Sequence, residues 1–589
     1  MPQEKLLQPD QFKDITIPEM FFTAVSTCPG SWSMAYSEDD KWSKITYQEL
    51  GEKVSDIAKG LVSLGAQKGQ RVGILSENRP EWGMAYLAIL QAGGVVVPID
   101  FLLKPQEIAH VINQADAQIL FVSAKHLPKI KGVSGLANRL KLIILLDEEG
   151  SLQNSLKLSE LLVKGRKSTV AFPQLKNTDV AEIIFTSGTT GNSKGVMLTH
   201  KNIMSDIWGI ERVLDLYPQD NFLSVLPLNH VFESTCGFLI PLASGAQITY
   251  ARSLKSKELL EDIKSNNITI MLGVPLLFEK MFLSIKNAVA KKGLFTRPYF
   301  NFCFQLVKAL KELFGFNSGK LIFRPLRRKA GLASVRLLIC GGAPLPAYIA
   351  KGFDLLGIKF LQGYGLTETS PVITLNPFNK PKYASVGKSI MGAELKIATP
   401  DKNGIGEIIA KGDMIMTGYY NNPEATGEVL NQGWLYTGDS GWMDKDGYFY
   451  ICGRLKNVIV TAAGKNVYPE EIEKELLKSS YIAEALVLGK KIDRREEVYA
   501  MLVPNYEYFK EKLGDSISDN HLIEKVIKEE LNRCCSNLAE YKRVKGFEIR
   551  EQEFDKTPTK KIKRFTVCED RQIMPQQIQN QTNFYDLNP

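Results

Sequence analysis

The stretch RVGILSENRPEWGMAYLAILQAGGVVVPID, residues 71–100, decides the architecture. Arg71-Val72-Gly73-Ile74-Leu75 is an apolar run of strand length, and Val95-Val96-Val97-Pro98-Ile99-Asp100 is a second. Between them, Pro80 to Gly93 reads as a helix. Strands that are apolar throughout, and not alternately apolar and polar, are covered on both faces; joined by helices, they form a parallel sheet. Working outward, Tyr47 to Leu64 repeats apolar residues at helical spacing, while Pro105–Ala115 and Ala117–Ser123 supply a further helix and strand. The same alternation returns between Asn202 and Leu361. The expectation is an α/β fold with two doubly wound subdomains.

After Pro371 the pattern changes to short strands punctuated by Gly, Asp and Asn, as in Gly406–Gly412 and Gly447–Ile451. This predicts a small antiparallel, β-barrel-like subdomain. Beyond Arg454 an α+β piece follows, with helices near Pro469–Ser479 and Asp519–Leu538. The expected division is a large N-terminal domain, 1–453, a small C-terminal domain, 454–564, and a polar, loosely held tail, 565–589.

At 589 residues the chain exceeds one compact core, so two to four units are expected. No apolar run approaches the roughly 18 residues of a spanning helix. The N-terminus lacks the apolar segment of a secretory signal. Eight cysteines without a Cys-x-x-Cys pair point to a reduced, cytoplasmic setting, and five scattered histidines offer little for zinc. The net charge of +8 has one source. Between Lys286 and Lys329 eleven Lys or Arg face a single acid, Glu312. A localised patch of this kind suits an anionic surface or ligand and argues against nucleic acid wrapping the protein.

The strongest chemical signal is Thr186-Ser187-Gly188-Thr189-Thr190-Gly191-Asn192-Ser193-Lys194-Gly195, which follows the apolar strand Ala181–Phe185 and precedes an apolar segment and a helix. Glycines let the backbone turn tightly and aim N–H groups at an anion; the hydroxyls of Thr186, Ser187, Thr189 and Thr190, with Lys194, add donors and charge. This is the composition of a polyphosphate cradle. It differs from a Walker loop, because two residues separate Gly191 from Lys194 and no Ser or Thr follows the lysine.

The segment resembles the phosphate loop of the adenylate-forming superfamily; among its members, long-chain fatty acid–CoA ligases resemble this chain in carrying a basic insertion, here 286–329, before the Gly-Gly-Ala-Pro-Leu turn. Further segments follow in that family's order. Cys340-Gly341-Gly342-Ala343-Pro344-Leu345-Pro346 resembles its adenine-side turn. Gln362-Gly363-Tyr364-Gly365-Leu366-Thr367-Glu368-Thr369 resembles the segment with an aromatic for adenine, a hydroxyl for the α-phosphate and a carboxylate for Mg²⁺, the metal being shared with Thr186. Tyr436-Thr437-Gly438-Asp439 implies a ribose ligand in Asp439. Gly453-Arg454-Leu455-Lys456-Asn457 implies a ribose or phosphate contact in Arg454 and the hinge of a mobile C-terminal domain in Lys456. Ala463-Gly464-Lys465 resembles the loop facing coenzyme A, and Thr559-Lys560-Lys561 puts Lys561 at the adenylation lysine. Pro227-Leu228-Asn229-His230 resembles the segment whose histidine lies beside the adenylate. Ser193, Phe185, Ser234 and Ala463 depart from the commonest family residues, and none of these changes removes a charged catalytic group.

The resemblance implies ATP and CoA as co-substrates, Mg²⁺ as cofactor, and a fatty acid as the acid. The basic segment 286–329 interleaves its charges with aromatics such as Phe295, Tyr299 and Phe302, which implies peripheral docking at the inner face of an anionic membrane. Two rival readings are an acyl carrier protein as acceptor, docked by the same segment, and a catalytically silent nucleotide- and lipid-binding scaffold.

Overall fold

In the computed structural model the stretch 71–100 is a βαβ unit: strand Arg71–Leu75, helix Pro80–Gln91 and strand Val95–Pro98, with Val72 opposite Val96 in a parallel pair. The structure describes residues 14–133, 135–152, 154–186, 193–290, 296–461, 465–492, 495–513, 520–536, 538–556, 562–564, 567 and 585–586. The helix is buried from Trp82 to Leu90, which explains why its sequence has no polar face. Trp82 and Tyr86 meet Phe238 edge-on at 6.0 and 5.8 Å between ring centroids. Phe238 belongs to the second sheet's half, so this helix is packed between the two sheets in one shared core.

One sheet has eight strands. Its parallel body is Arg71–Leu75, Val95–Pro98, Ile119–Val122, Leu142–Leu145 and Ser155–Lys157, and Val180–Thr186 joins in parallel beside Val95–Pro98. The segment after the phosphate-type loop is a strand, Lys194–Thr199, antiparallel to Val180–Thr186. The expected apolar segment is thus a strand, and the expected helix, His200–Glu211, follows it directly. Thr199 caps it by accepting from the Asn202 amide at 3.1 Å. The other sheet has nine strands, with a parallel centre of Asn221–Ser224, Gln247–Tyr250, Ile270–Gly273, Leu337–Cys340 and Lys359–Tyr364.

Beyond these, Ala393–Ala398, Gly406–Gly412, Leu430–Asn431, Trp434–Met443 and Phe449–Arg454 form a five-stranded antiparallel sheet. The smaller C-terminal unit pairs Ile482–Ile492 with Arg495–Pro504 and packs helices Pro469–Leu476 and Asn520–Cys535 around its own core. Two described parts of the tail touch this unit. Val567 is buried beside Leu486 and Met501, and Tyr585–Asp586 pairs with Gly546–Ile549.

The basic segment forms helices Thr296–Phe314, Gly319–Ile322 and Arg324–Lys329. Two of its charges are structural. Arg327 is buried and donates to the carbonyls of Leu332, Ala333, Val335 and Gly357. Lys311 pairs with the buried Asp354. No helix among the described residues is long and apolar enough to cross a membrane.

Candidate active site

Parallel sheets place their ligand sites at the carboxyl ends of the strands, where loops leave in opposite directions. Here both sheets point those ends into one cleft of about 4830 Å³, faced across by the C-terminal unit. That is several times a pocket for one small ligand, which runs to roughly 1,000 Å³.

Strand Val180–Thr186 delivers Thr186, and strand Lys194–Thr199 delivers Lys194 on the far side of the hairpin. Thr186 Oγ1 donates to the Lys194 carbonyl at 3.4 Å. Ser187, Gly188, Thr189, Thr190 and Gly191 lie outside the described residues. Beside Lys194, the Ser193 hydroxyl is buried without a hydrogen-bond partner, which leaves a donor for an incoming oxygen. The Lys194 ammonium stands 5.0 Å over the Tyr419 ring and 4.0 Å from Glu428. Tyr419 donates its hydroxyl to Glu368 Oε1 at 2.8 Å. The neighbouring carboxylate and burial hold that phenol well above its ordinary pKa, so it stays a donor. Lys194, Tyr419 and Glu368 thus form one continuous wall.

Glu368 and Thr367 sit on a short turn, Thr367–Thr369, after strand Lys359–Tyr364. Gly365 is required there, because a Cβ would stand 1.8 Å from the Pro371 carbonyl. Gly363 lies tight against Thr374, whose carbonyl would be 3.0 Å from an added Cβ. Tyr364, at the strand's end, donates to Asp439 Oδ2 at 2.7 Å. Asp439 faces Arg454 in the register of the antiparallel sheet, and Arg454 Nε reaches Oδ1 at 2.8 Å. A carboxylate offers about four lone-pair directions, so Asp439 retains acceptor capacity beside these two partners. The turn Gly341-Gly342-Ala343 follows strand Leu337–Cys340; Gly342 has φ +83°, and Gly341 abuts the Phe232 ring.

At the other end of the cleft, His230 Nε2 lies 3.8 Å from Asp100 Oδ2, a contact that joins the two sheets. Val231, Phe232, Cys236 and Ile240 continue from it as an apolar wall of the same cleft. Lys456 is exposed on the turn Leu455–Asn457, and Lys465 opens the second strand side of the hairpin formed by Ile459–Val460 and Asn466–Val467. Both line the cleft. Gly464 and Lys561 lie outside the described residues, while Lys563 and Arg564 line the cleft. Arg564 is anchored on the Val487 carbonyl at 2.7 Å and on Glu473.

Sequence reading missed two residues that line the cleft, Asp100 and Tyr419, and the cross-sheet hydrogen bonds of Asn78. A polar residue just past a buried parallel strand was an available signal for Asn78 and Asp100. Tyr419 carried none, since its neighbour Glu368 is 51 residues away.

The carboxyl ends of two parallel sheets, the smaller α+β unit and the side chains of Lys194, Glu368, Tyr364, Asp439 and Arg454 thus meet in one cleft. The chain belongs to the AMP-binding enzyme family, whose model matches residues 21–420. It is 31% identical over 568 residues to a long-chain-fatty-acid–CoA ligase, FadD15, of Mycobacterium bovis, covering 90% of this chain and 91% of that protein. It is 31% identical over 525 residues to the long-chain-fatty-acid–CoA ligase heimdall of Drosophila melanogaster, covering 83% and 76%. Among solved structures, the anthranilate CoA ligase AuaEII in complex with anthranoyl-AMP superposes with a TM-score of 0.76 at 22% identity, covering 96% of this chain and 99% of that one. ATP-bound MatB from Rhodopseudomonas palustris gives 0.73 at 23% identity over 95% and 99%. Those two establish a shared fold.

Proposed function

We propose that the protein is an AMP-forming acyl-CoA synthetase acting on medium- or long-chain fatty acids. The observation that carries this reading is one cleft with a cationic and hydroxyl-rich arm at Lys194, a ribose-type arm at Asp439 and Arg454, and an apolar arm beyond His230. The named relatives, long-chain-fatty-acid–CoA ligases over most of their length, support the choice of acid and thiol.

A carboxylate cannot expel oxide, so it must first be given a leaving group. Its oxygen attacks the α-phosphorus of ATP, the bond to the β-phosphate breaks, and pyrophosphate leaves. The reaction needs positioning and charge compensation more than covalent help. Lys194, Thr186 and the loop 187–191 would hold the β- and γ-phosphates; Asp439 and Arg454 would take the ribose; Gly341, Gly342, Ala343 and Tyr364 would border the adenine. Lys561 would bridge the carboxylate and the α-phosphate. The thiol of coenzyme A then attacks the acyl carbon and AMP departs. For that step the unit after 453 would turn about Lys456, replacing Lys561 by the loop at Gly464 and Lys465.

Mg²⁺ fits the donor set. Among the described residues there is no group of three or more acidic, His or Cys side chains that could cage a metal. One carboxylate, Glu368, held by Tyr419, with Thr186 lining the same cleft, matches an ion that takes few protein ligands and completes its shell with phosphate oxygens. When bound, it would neutralise phosphate charge.

We extend the reading to an anionic lipid surface. On helix Thr296–Phe314, Cys303 and Val307 are buried, whereas Tyr299, Phe302, Leu306 and Leu313 recur at helical spacing on another face and are exposed. Phe314, Phe316 and Leu321 extend the patch, and Lys320, Arg324, Arg328 and Lys329 are exposed beside it. Apolar side chains rimmed by cations suit an interface of acyl chains and anionic headgroups.

Two assays test these claims. ATP–pyrophosphate exchange with oleate should proceed in the intact protein and be lost in Lys561→Ala; acyl-adenylate without acyl-CoA would instead point to a carrier protein as acceptor. Co-sedimentation should occur with vesicles containing phosphatidylglycerol, weaken in Phe302→Asp/Leu313→Asp, and be absent with neutral vesicles. Equal binding by wild type and variant would remove the lipid-surface claim.

A further inference from the structure

After strand Arg71–Leu75 the chain passes Ser76, Glu77, Asn78 and Arg79 before helix Pro80–Gln91 begins. The Asn78 carboxamide crosses to the other sheet and makes three hydrogen bonds there. Its Nδ2 donates to the Leu226 carbonyl at 2.6 Å and to Ser224 Oγ at 3.0 Å, and its Oδ1 accepts from the Leu228 amide at 2.9 Å. These partners lie 148, 146 and 150 residues away in sequence. They bracket the loop that leaves strand Asn221–Ser224 and ends at His230. Asn78 is itself held by its neighbours. Glu77 accepts from Ser123 at 2.8 Å, and Arg79 reaches Glu81 at 2.7 Å and Asp147 at 2.6 Å.

The connection continues into the apolar wall. Ser224 Oγ donates to Glu233 Oε1 at 2.7 Å, and the Glu233 amide donates to the His230 carbonyl at 2.9 Å. Glu233 is fully buried in the π-helix Phe232–Leu239, whose residues Phe232 and Cys236 line the cleft. Wide helical turns of this kind are held by their surroundings and recur at functional sites.

We propose that Asn78 is a positioning residue for acid binding: by clamping residues 224–228 it sets where His230 and the Phe232–Cys236 wall stand. The residue has the right reach and the right polarity for this. Asn presents donor and acceptor on one short, planar group, so a single side chain satisfies a backbone carbonyl, a backbone amide and a hydroxyl. The inference rests on the acid-activating function proposed above. The nucleotide arm at Asp439, Arg454 and Tyr364 is built on other strands and meets the clamped wall only where Gly341 abuts the Phe232 ring, so the clamp acts mainly on the acid.

The test is Asn78→Ala in the full-length protein, with two readouts. Hydrogen–deuterium exchange of a peptide spanning 224–231 should rise about tenfold, since the Leu228 amide loses its acceptor, with little change in peptides around Asp439. KM for oleate should rise about tenfold while KM for ATP changes less than about threefold. Asn78→Asp, which keeps an acceptor and loses the donors, should fall between the two. Faster exchange with oleate and ATP parameters moving together, or with neither moving, would reduce Asn78 to a stitch between sheets and overturn the proposal. Unchanged exchange would remove the clamp itself. If the wild type makes no acyl-CoA, the functional reading has failed, and exchange at 224–231 still decides whether the clamp exists.

Discussion

The hydroxyl of Tyr364 donates to Oδ2 of Asp439 at 2.7 Å, while Arg454 holds Oδ1 at 2.8 Å. The pair joins the last parallel strand of the nine-stranded sheet to the antiparallel sheet, so the arm proposed for the ribose is assembled from two structural units. Burial and the adjacent Asp439 carboxylate push the Tyr364 phenol well above its ordinary pKa, which keeps it a donor throughout the useful pH range.

This arrangement ranks two substitutions. Asp439→Ala removes the shared acceptor and leaves the Arg454 charge without its carboxylate, and should raise KM for ATP on the order of 100-fold. Tyr364→Phe keeps the ring and loses one hydrogen bond to a charged group, a cost on the order of tenfold. Steady-state kinetics at saturating acid and CoA separate the two; equal effects would mean that the hydroxyl, and not the carboxylate, organises the arm.

Tyr419 offers a gentler probe of the arm proposed for the phosphates. Tyr419→Phe preserves the ring under Lys194 and frees the Glu368 carboxylate. The Mg²⁺ concentration for half-maximal activity should rise by about tenfold or more, with little change in KM for the acid. A Mg²⁺ titration at fixed ATP reads this directly.

Gly365→Ala should be severe. Its Cβ would meet the Pro371 carbonyl at 1.8 Å, a backbone atom that cannot swing aside. The turn bearing Thr367 and Glu368 must shift, and kcat/KM for ATP should drop by at least about 100-fold. Gly427→Ala, where nothing lies within 4 Å of the added atom, is the matched control and should be near neutral.

Some of this was readable from the chain and some was not. Runs such as Val95–Pro98 and Leu337–Cys340 are apolar throughout because both faces are covered, and that pattern survives in one dimension. The strand Lys194–Thr199 was less legible, because an apolar segment behind a Gly-rich loop does not reveal that it turns back antiparallel. Arg327 looked like one more surface charge in a basic run, yet it is buried against four backbone carbonyls. Asn78, Asp100 and Tyr419 are recognisable through partners far away in sequence, which periodicity cannot report. The residues identified by motif order, Tyr364, Asp439 and Arg454, do come together.

Two buried acids give the stability a pH dependence. Burial pushes Glu233 up to about 8 and Glu182 up to about 7, with partial offsets from Ser224 and the Val225 amide and from Tyr86. Unfolded, both would titrate near 4.5, so the folded chain binds more protons in between. Their contribution is complete below that value and is lost as pH rises through about 8. The melting temperature should therefore fall by several degrees from about pH 6 to about pH 9, and fall less in Glu233→Gln. Differential scanning calorimetry across that range would show it; identical slopes would mean that Glu233 ionises without cost.

The most direct measurement of the central claim is a competition assay. The purified protein would receive ATP, Mg²⁺, coenzyme A and equimolar acids from acetate to oleate, with products identified by mass spectrometry. The account predicts acyl-CoA skewed to long chains, with AMP and pyrophosphate formed alongside and all three lost in Lys561→Ala. Preference for acetate or an aromatic acid would contradict the assignment of substrate, and AMP formation without any acyl-CoA would contradict the assignment of the thiol.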